Sequence, residues 1–132
     1  MARREWSEEE EETLLENLTS LVDAGLWQND NEWFIPASFV VLGTEMQASF
    51  PEGGITKFHI EAKMKYWKAT CFGLQDLLQI SGFGWNENEN RLVVENEVWN
   101  EIVKVNRRFR NMKDMQFLMF NRWSHCFVRF RG

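Results

Sequence analysis

Three asparagines and one glutamate between residues 81 and 97 have a spacing that could bind calcium. The stretch reads SGFGWNENENRLVVENE, with Asn86, Asn88 and Asn90 at alternate positions and Glu97 as the twelfth residue counted from Asn86. Helix–loop–helix calcium sites place oxygen ligands at loop positions one, three and five and a bidentate glutamate at position twelve. A calcium site and a plain connector between two helices are therefore the two interpretations to compare.

Two demanding positions of a calcium loop hold unsuitable residues here. Position one is Asn86 rather than aspartate, and position six, which needs glycine for a sharp turn, is Arg91. The two glycines of SGFGW have a simpler use, because glycine adopts positive φ freely where the chain reverses. The sequence predicts a connector with NENEN at its exposed tip and with Phe83 and Trp85 packed between the third and fourth helices.

The remaining reactive residue types do not form a catalytic motif. His59 and His125 have no serine or cysteine nearby in a known nucleophile pattern, and the chain lacks HExxH, a Gly-rich phosphate loop and an Asp-rich cluster. Cys71 and Cys126 are isolated and form no CxxC pair, so we expect two reduced, mostly buried thiols. The sequence predicts a protein that is not an enzyme and that uses no cofactor or metal.

Charge is distributed unevenly along the chain. Residues 1–54 contain 2 basic and 12 acidic side chains, residues 55–103 contain 5 and 7, and residues 104–132 contain 8 and 1. A basic C-terminal segment on an acidic body can bind an anionic partner, or it can pair with the acidic N-terminal part of the same chain. Composition alone leaves both alternatives open.

The chain shows no pattern typical of export or membrane insertion. MARREW leads directly into SEEEEE without an apolar signal region, and no apolar run approaches the roughly 18 residues of a membrane span. Its 132 residues are within the usual size of one domain. We expect a soluble protein of the cytoplasm or nucleus without a membrane partner.

Capping residues and apolar periodicity predict three helices in the first part of the chain. Ser7 is a suitable N-cap, Glu10 completes a capping box, and Gly25 is a suitable stop. A second helix is expected from Pro36, which favours the first turn. The longest helix follows Thr56 as its cap, and its apolar stripe predicts a core seam: Ile60, Met64, Trp67, Cys71, Leu74 and Leu78.

The other segments carry weaker signals. Residues 26–34 are rich in Asn and Asp and predict a loop, with Trp27 and Trp33 folded back onto the core. Asn96 is expected to cap a fourth helix. The spacing of apolar residues in FRNMKDMQFLMFNRWSHCFVRF, residues 109–130, predicts a final amphipathic helix.

The third helix carries the most basic surface of an otherwise acidic body. Lys57, Lys63, Lys65 and Lys68 lie between the members of the apolar stripe, and Glu61 alone opposes them. Such lysines can neutralise phosphates of a nucleic acid, or they can simply keep a long helix soluble. The residues by themselves favour neither function.

Several short motifs, in this order, resemble the plant Myb/SANT-like domain. They are W-S-x-E-E, LVDAG-W, FP-x-GGI, HIEAKMKYWK, SGFGW and VW, and SGFGW…VVENEVW is the most specific part. The resemblance covers roughly residues 6–104. We therefore expect a Myb/SANT-like domain at 1–104, which includes the connector and the fourth helix. Residues 105–132 are expected to form a basic, aromatic helical segment that packs on or extends that domain.

The resemblance implies an all-α fold and a DNA-reading third helix. The fold would be a three-helix, helix-turn-helix-like core with an extended third helix and additional C-terminal helices. The family is nuclear and often linked to transposon-derived proteins. Myb repeats carry Gln-Cys-Arg-x-Arg-Trp at the positions matching 59–64, so Lys63 keeps one basic position, whereas Glu61 replaces an arginine and would repel phosphate.

The candidate contacts follow from that resemblance together with the positions of the basic residues. Lys63 and Lys65 are expected at the centre of a DNA surface, and the edge residues are Lys57, Lys68 and His59. The candidate phosphate contacts in the C-terminal segment are Arg107, Arg108 and Arg110. DNA binding is expected to be weak or to occur within a complex, with a chromatin protein or a transposase-derived protein as a further candidate partner.

A protein-interaction module is the alternative function. The SANT branch of the same fold is more acidic and binds histone tails or other chromatin proteins, and the net charge of −12 over residues 1–103 fits that branch. A net-acidic domain is also repelled by DNA at long range. The deciding observation is whether the lysines of the third helix and the basic C-terminal segment lie on the same side.

Overall fold

The protein is described by a computed structural model for residues 4–25 and 33–131. The α-helices are α1 (Glu8–Asp23), α2 (Pro36–Ser49), α3 (Lys57–Leu78), α4 (Asn96–Val105) and α5 (Phe120–Phe127). Two short antiparallel strands, β1 (Gly84–Asn86) and β2 (Arg91–Val93), connect α3 to α4, with Trp85 paired to Leu92. Two 3-10 turns lie at Arg107–Phe109 and Val128–Phe130. The predicted all-α class is confirmed.

Local side-chain chemistry sets where the first three helices begin. The Ser7 hydroxyl accepts from the Glu10 N–H, and the Glu10 carboxylate accepts from the Ser7 N–H, which is the predicted capping box. Pro36 occupies the first turn of α2. At α3 the Thr56 hydroxyl accepts from the His59 N–H, and His59 Nδ1 accepts from the Thr56 N–H at 3.0 Å. His59 therefore takes the place that Glu or Gln holds in the usual box.

The core lies where α1, α2 and α3 pack together, and α5 closes it. The predicted stripe of α3 is buried from Ile60 to Leu74, although Leu77 is buried in preference to Leu78. Trp123 of α5 lies against Trp67, with 6.1 Å between ring centroids. The fully buried side chains of the other helices include Leu14, Leu15, Leu18, Leu42, Met46 and Phe127.

The connector between α3 and α4 is a hairpin whose asparagines stabilise its turn. Asn86 Oδ1 accepts from the N–H groups of Asn88 and Glu89, and Asn90 has a φ of 55°. Asparagine tolerates this left-handed conformation better than most residues. Gly82, with a φ of 95°, makes the reversal that precedes the hairpin. The side chain that would lead a calcium loop, Asn86, is thus used within the turn itself.

The two aromatic residues of the connector pack in different places. Phe83 lies against Trp99 of α4, with 6.2 Å between ring centroids. The ring centroid of Trp85 lies 4.9 Å from that of Phe120 in α5, and Trp85 also contacts Phe117. The predicted place of Trp85 between α3 and α4 is therefore wrong. Trp85 is the middle residue of β1, whereas Phe83 precedes the strand in the turn that follows α3.

Two predictions on the C-terminal half need correction. Glu95, not Asn96, is the N-cap residue of α4, and its side chain makes no capping hydrogen bond. The helix expected over 109–130 is confined to α5, because the preceding residues bond to other parts of the fold. The Phe117 N–H donates to the Asn90 carbonyl of the hairpin at 2.8 Å, which replaces a hydrogen bond within a helix.

The structure also places residues 26–34 only in part. Trp33 packs against the core, as expected, and stacks on Phe127 with 6.4 Å between ring centroids. The prediction for Trp27 lies outside the described residues.

An arginine near the N-terminus ties α1 to the turn before α3. The Arg4 guanidinium donates to both carboxylate oxygens of Glu10, at 2.8 and 3.1 Å, and to the Gly53 carbonyl at 2.9 Å. It also lies 4.9 Å from the centre of the Trp6 ring. The hydrogen bonds from Arg4, aided by the Ser7 N–H, lower the pKa of Glu10 from 4.5 to about 2.

The pKa of Glu10 is lower in the folded state than in the unfolded state. The ionised Glu10 side chain therefore contributes fully to stability at pH values above its pKa in the unfolded state. That contribution is lost as the pH falls from about 4.5 towards 2. We expect Glu10→Gln to lower the free energy of unfolding by roughly 1–2 kcal/mol at pH 7, after allowance for solvent screening. The difference from the wild type should nearly vanish at about pH 2.

Urea unfolding of both proteins across this pH range measures the effect. Glu9→Gln is the matched control, because Glu9 is an exposed glutamate of the same helical turn. A difference between wild type and Glu10→Gln that stays constant with pH would contradict the assignment.

Candidate nucleic-acid interface

The face of α3 opposite the core is exposed and combines aromatic, small and basic side chains. Phe58 is 71% exposed, Tyr66 is 52% exposed, and the Lys65 side chain is 60% exposed. Ala62, which lies between Phe58 and Lys65, and Ala69, which follows Tyr66 by about one turn, are also exposed. These five residues, which we call the outer face of α3, share one side because they follow steps of about one helical turn.

Two of the predicted basic residues, Lys65 and Lys57, are exposed and can bind a partner. Lys65 lies within the outer face, with its Nζ 3.6 Å from a carboxylate oxygen of Glu61. An exposed pair one turn apart is weak, so Lys65 can exchange Glu61 for a stronger anion. Lys57 is exposed in the first turn, where its Nζ lies 5.3 Å from the Phe58 ring centre.

Lys63 points away from Lys65 and joins α3 to α1. Its side chain is only 18% exposed, and its Nζ lies 3.5 Å from the Glu11 carboxylate. The ring centres of Trp6, Tyr66 and Trp67 lie between 5.6 and 5.9 Å from this ammonium group. Two residues along a helix differ by about 200° in direction, which separates Lys63 from Lys65.

Lys68 and His59 each have a structural partner. The Lys68 ammonium lies 4.5 Å from the centre of the Trp33 ring, and the lysine is half-buried. His59 uses Nδ1 in the cap of α3, and its exposure is partial. Of the five predicted residues, Lys65 therefore lies on the outer face of α3 and Lys57 is exposed in the first turn. Lys63 pairs with α1, Lys68 contacts Trp33, and His59 caps the helix.

Some basic side chains of the C-terminal segment pair with acidic groups of the same chain, and others are exposed. Arg122 lies 2.8 Å from the Glu12 carboxylate, and His125 lies 2.7 Å from the Asp23 carboxylate, so α5 is paired with acidic α1. Among the residues that the structure describes, no ion pair involves Arg107 or Arg110, and both are exposed. Pairing with the acidic N-terminal part of the same chain, one of the two alternatives left open by the charge distribution, is thus observed for Arg122 and His125.

Asp76 of α3 binds two arginines of the C-terminal segment. The Arg108 guanidinium lies 3.0 Å from one oxygen of Asp76, and Arg131 pairs with the other oxygen. Arg131 also donates to the Phe72 carbonyl at 3.1 Å and lies over the Phe72 ring. These contacts hold both ends of the segment against α3.

A groove of about 460 Å³ separates the outer face of α3 from the segment that follows α4. One wall includes Tyr66 and Ala69, and the other includes Arg108, Phe109 and Met112. Tyr66 and Ala69 of the outer face of α3 therefore lie across this groove from Arg108 and Phe109 of the turn at 107–109.

A family model described as a Myb/SANT-like DNA-binding domain matches residues 5–102. The chain belongs to this family. No curated protein and no solved structure gives a match to the chain. The family supports DNA as the partner, and its members are generally not enzymes.

The matched part of this Myb/SANT-like domain ends inside α4. The side chains that close its core come later, from Phe109 in the 3-10 turn to Trp123 and Phe127 in α5. The groove also depends on this later part for one of its two walls.

Sequence reasoning found the basic residues of this surface but missed its aromatic character. Phe58 and Tyr66 fall outside the apolar stripe that begins at Ile60, and that misfit was the available signal. A large aromatic residue on the polar side of an amphipathic helix is not explained by the core.

The described part of the Myb/SANT-like domain does not suggest thiol catalysis, a metal site or a membrane span. Burial raises the pKa of both the Cys71 and the Cys126 thiol, which disfavours the nucleophilic thiolate. Across residues 4–25 and 33–131, no three His, Cys, Asp or Glu side chains are grouped as metal ligands. No helix in the same ranges has the length and apolar character needed to cross a membrane.

Proposed function

We propose that this Myb/SANT-like domain is a non-enzymatic module that binds duplex DNA through the outer face of α3 and the adjoining 107–110 turn. The observation that supports the proposal is the groove shared by two separate elements, with Tyr66 and Ala69 of the outer face of α3 on one wall and Arg108 of the turn on the other. The basic groups proposed to bind are exposed neighbours of these lining residues along the chain: Lys57 and Lys65 belong to α3, and Arg107 and Arg110 flank Arg108 and Phe109. Such an arrangement spans more than one phosphate of a duplex.

The proposed geometry has the N-terminal part of α3 in the major groove, as in other helix-turn-helix modules. Lys57 and Lys65 contact phosphates beside that groove, and Arg107 and Arg110 reach phosphates further along the backbone. Arg108 contributes less, because Asp76 already neutralises it. Lys68 and His59 lie at the edge of the contact area.

Lys63 has a supporting role in this proposal. Its ammonium group is enclosed by Glu11 and three aromatic rings, so it fixes the angle between α1 and α3. A partly buried cation with these partners would lose much of its stabilisation by turning outward to a phosphate.

The net charge of −5 limits how strongly the module can bind alone. We therefore propose that it acts in the nucleus as part of a larger assembly, as the resemblance to plant and transposon-associated Myb-like proteins suggests. A chromatin protein or a transposase-derived protein is the proposed second partner.

Fluorescence anisotropy with a labelled random-sequence duplex tests the function. Four phosphate contacts predict an affinity that falls roughly hundredfold between about 50 and 200 mM salt. Failure to bind the duplex at the lower salt, together with binding of a basic histone-tail peptide, would contradict the proposal and favour the SANT-type protein-interaction function.

A further inference from the structure

The outer face of α3 has few of the side chains that usually identify purines. Residues 57–72 contain no Arg, Asn or Gln, and Lys65 is the one residue of the outer face of a type that contacts guanine in the major groove. Lys65, whose weak pair with Glu61 at 3.6 Å can open, is assigned to a phosphate in the proposed function, which leaves base recognition to the other side chains of this face. The most exposed group of this face is instead the Phe58 ring, at 71%.

The Phe58 ring is not part of the hydrophobic core. It is exposed in the first turn of α3, next to Lys57, whose ammonium lies 5.3 Å from the ring centre. A single exposed apolar residue is common on protein surfaces. Here, however, Tyr66 lies on the same face about two turns further along α3. Ala62 lies between Phe58 and Tyr66, and its short side chain allows the edge of a base to approach the helix.

We infer that Phe58, with Ala62 beside it, is a specificity-determining residue that reads the 5-methyl group of thymine in the major groove. This inference rests on the proposed DNA-binding function and adds the class of sequence that the domain selects. Apolar side chains such as Phe and Ala contact the thymine methyl, the one apolar group among the base edges of the major groove. Tyr66, about 12 Å further along the helix axis, gives a second apolar contact roughly three to four base pairs away.

The test begins with selection of preferred sites from a pool of random-sequence duplexes by the full chain. Each thymine of the selected site is then replaced in turn by deoxyuridine, which removes the methyl group and keeps every hydrogen-bonding group. Loss of one buried methyl predicts roughly fourfold weaker binding at the thymine that Phe58 contacts. Anisotropy titration at constant salt measures the difference.

The variant Phe58→Ala should bind the thymine and deoxyuridine duplexes about equally well, because the alanine at position 58 is too short to reach the methyl group that the Phe58 ring contacts. Leu118→Ala is the matched control, since Leu118 is 68% exposed and lies outside α3, and it should keep the fourfold preference.

Three results would overturn the inference. They are selected sites without thymine, equal binding of both duplexes by the wild type, and a thymine preference that survives in Phe58→Ala. Random-duplex binding that persists in these cases would leave the proposed function standing. Absence of any duplex binding would overturn the proposed function and this inference together.

Discussion

A chain that ends at residue 104 is expected to lose its cooperative unfolding transition, although it contains the whole of the family match. The truncation removes aromatic side chains that are at least nine-tenths buried: Phe109, Phe117, Phe120, Trp123 and Phe127. Removing a single large aromatic side chain from a core typically costs about 3–5 kcal/mol. Because a whole domain is stable by only about 5–15 kcal/mol, losing all five leaves too little core.

Circular dichroism during heating and urea unfolding compares the truncated and full-length chains. Two substitutions in the full-length chain give the finer measurement. Phe127→Ala should lower the free energy of unfolding by about 3–5 kcal/mol, because its ring is fully buried. Val128→Ala, at a neighbouring side chain that is 58% exposed, should change it by less than about 0.5 kcal/mol. A sharp transition in the truncated chain would show that residues 105–132 are an appendage of a domain complete at 104.

The second large effect is expected from charge reversal on both walls of the groove. The double variant Lys65→Glu with Arg110→Glu should weaken binding to a random-sequence duplex roughly hundredfold at about 100 mM salt. Two phosphate contacts are lost, and two new carboxylates repel the backbone. The slope of log affinity against log salt should fall by about two units.

A second double variant with the same change in net charge is the control. Lys104→Glu with Arg129→Glu also alters two exposed basic residues, but neither lies on the outer face of α3 or in the 107–110 turn. We expect this control to lose less than about fivefold in affinity, through the long-range field alone. Equal losses in the two double variants would contradict the assignment of the surface, even if both proteins bind DNA.

Local signals were sufficient to predict the helices. The capping box of Ser7 and Glu10, the first-turn position of Pro36 and the apolar stripe of α3 each involve residues within a few turns of one another. Such features depend little on the rest of the fold. The segment before α5 was mispredicted because the hydrogen bond from Phe117 joins it to Asn90, far back along the chain.

The candidate surface was only partly predictable, for a related reason. Helical geometry alone separates Lys63 from Lys65, but only the tertiary structure reveals that Glu11 and the aromatic rings enclose the former. The partners of the C-terminal arginines are also distant in sequence, since Asp76 is 32 residues from Arg108 and 55 from Arg131. No periodic pattern encodes a choice between these partners and a bound phosphate.

The position of Asp76 has a consequence for how such a domain could diverge among descendants. One carboxylate pairs with Arg108 and Arg131, and it lies beyond the part of α3 proposed to select a sequence. Under the proposed function, a single substitution there would release Arg108 for a phosphate and change how tightly a descendant binds DNA, while its choice of sequence stays the same. The strength of attachment and the identity of the target can therefore evolve separately in this chain.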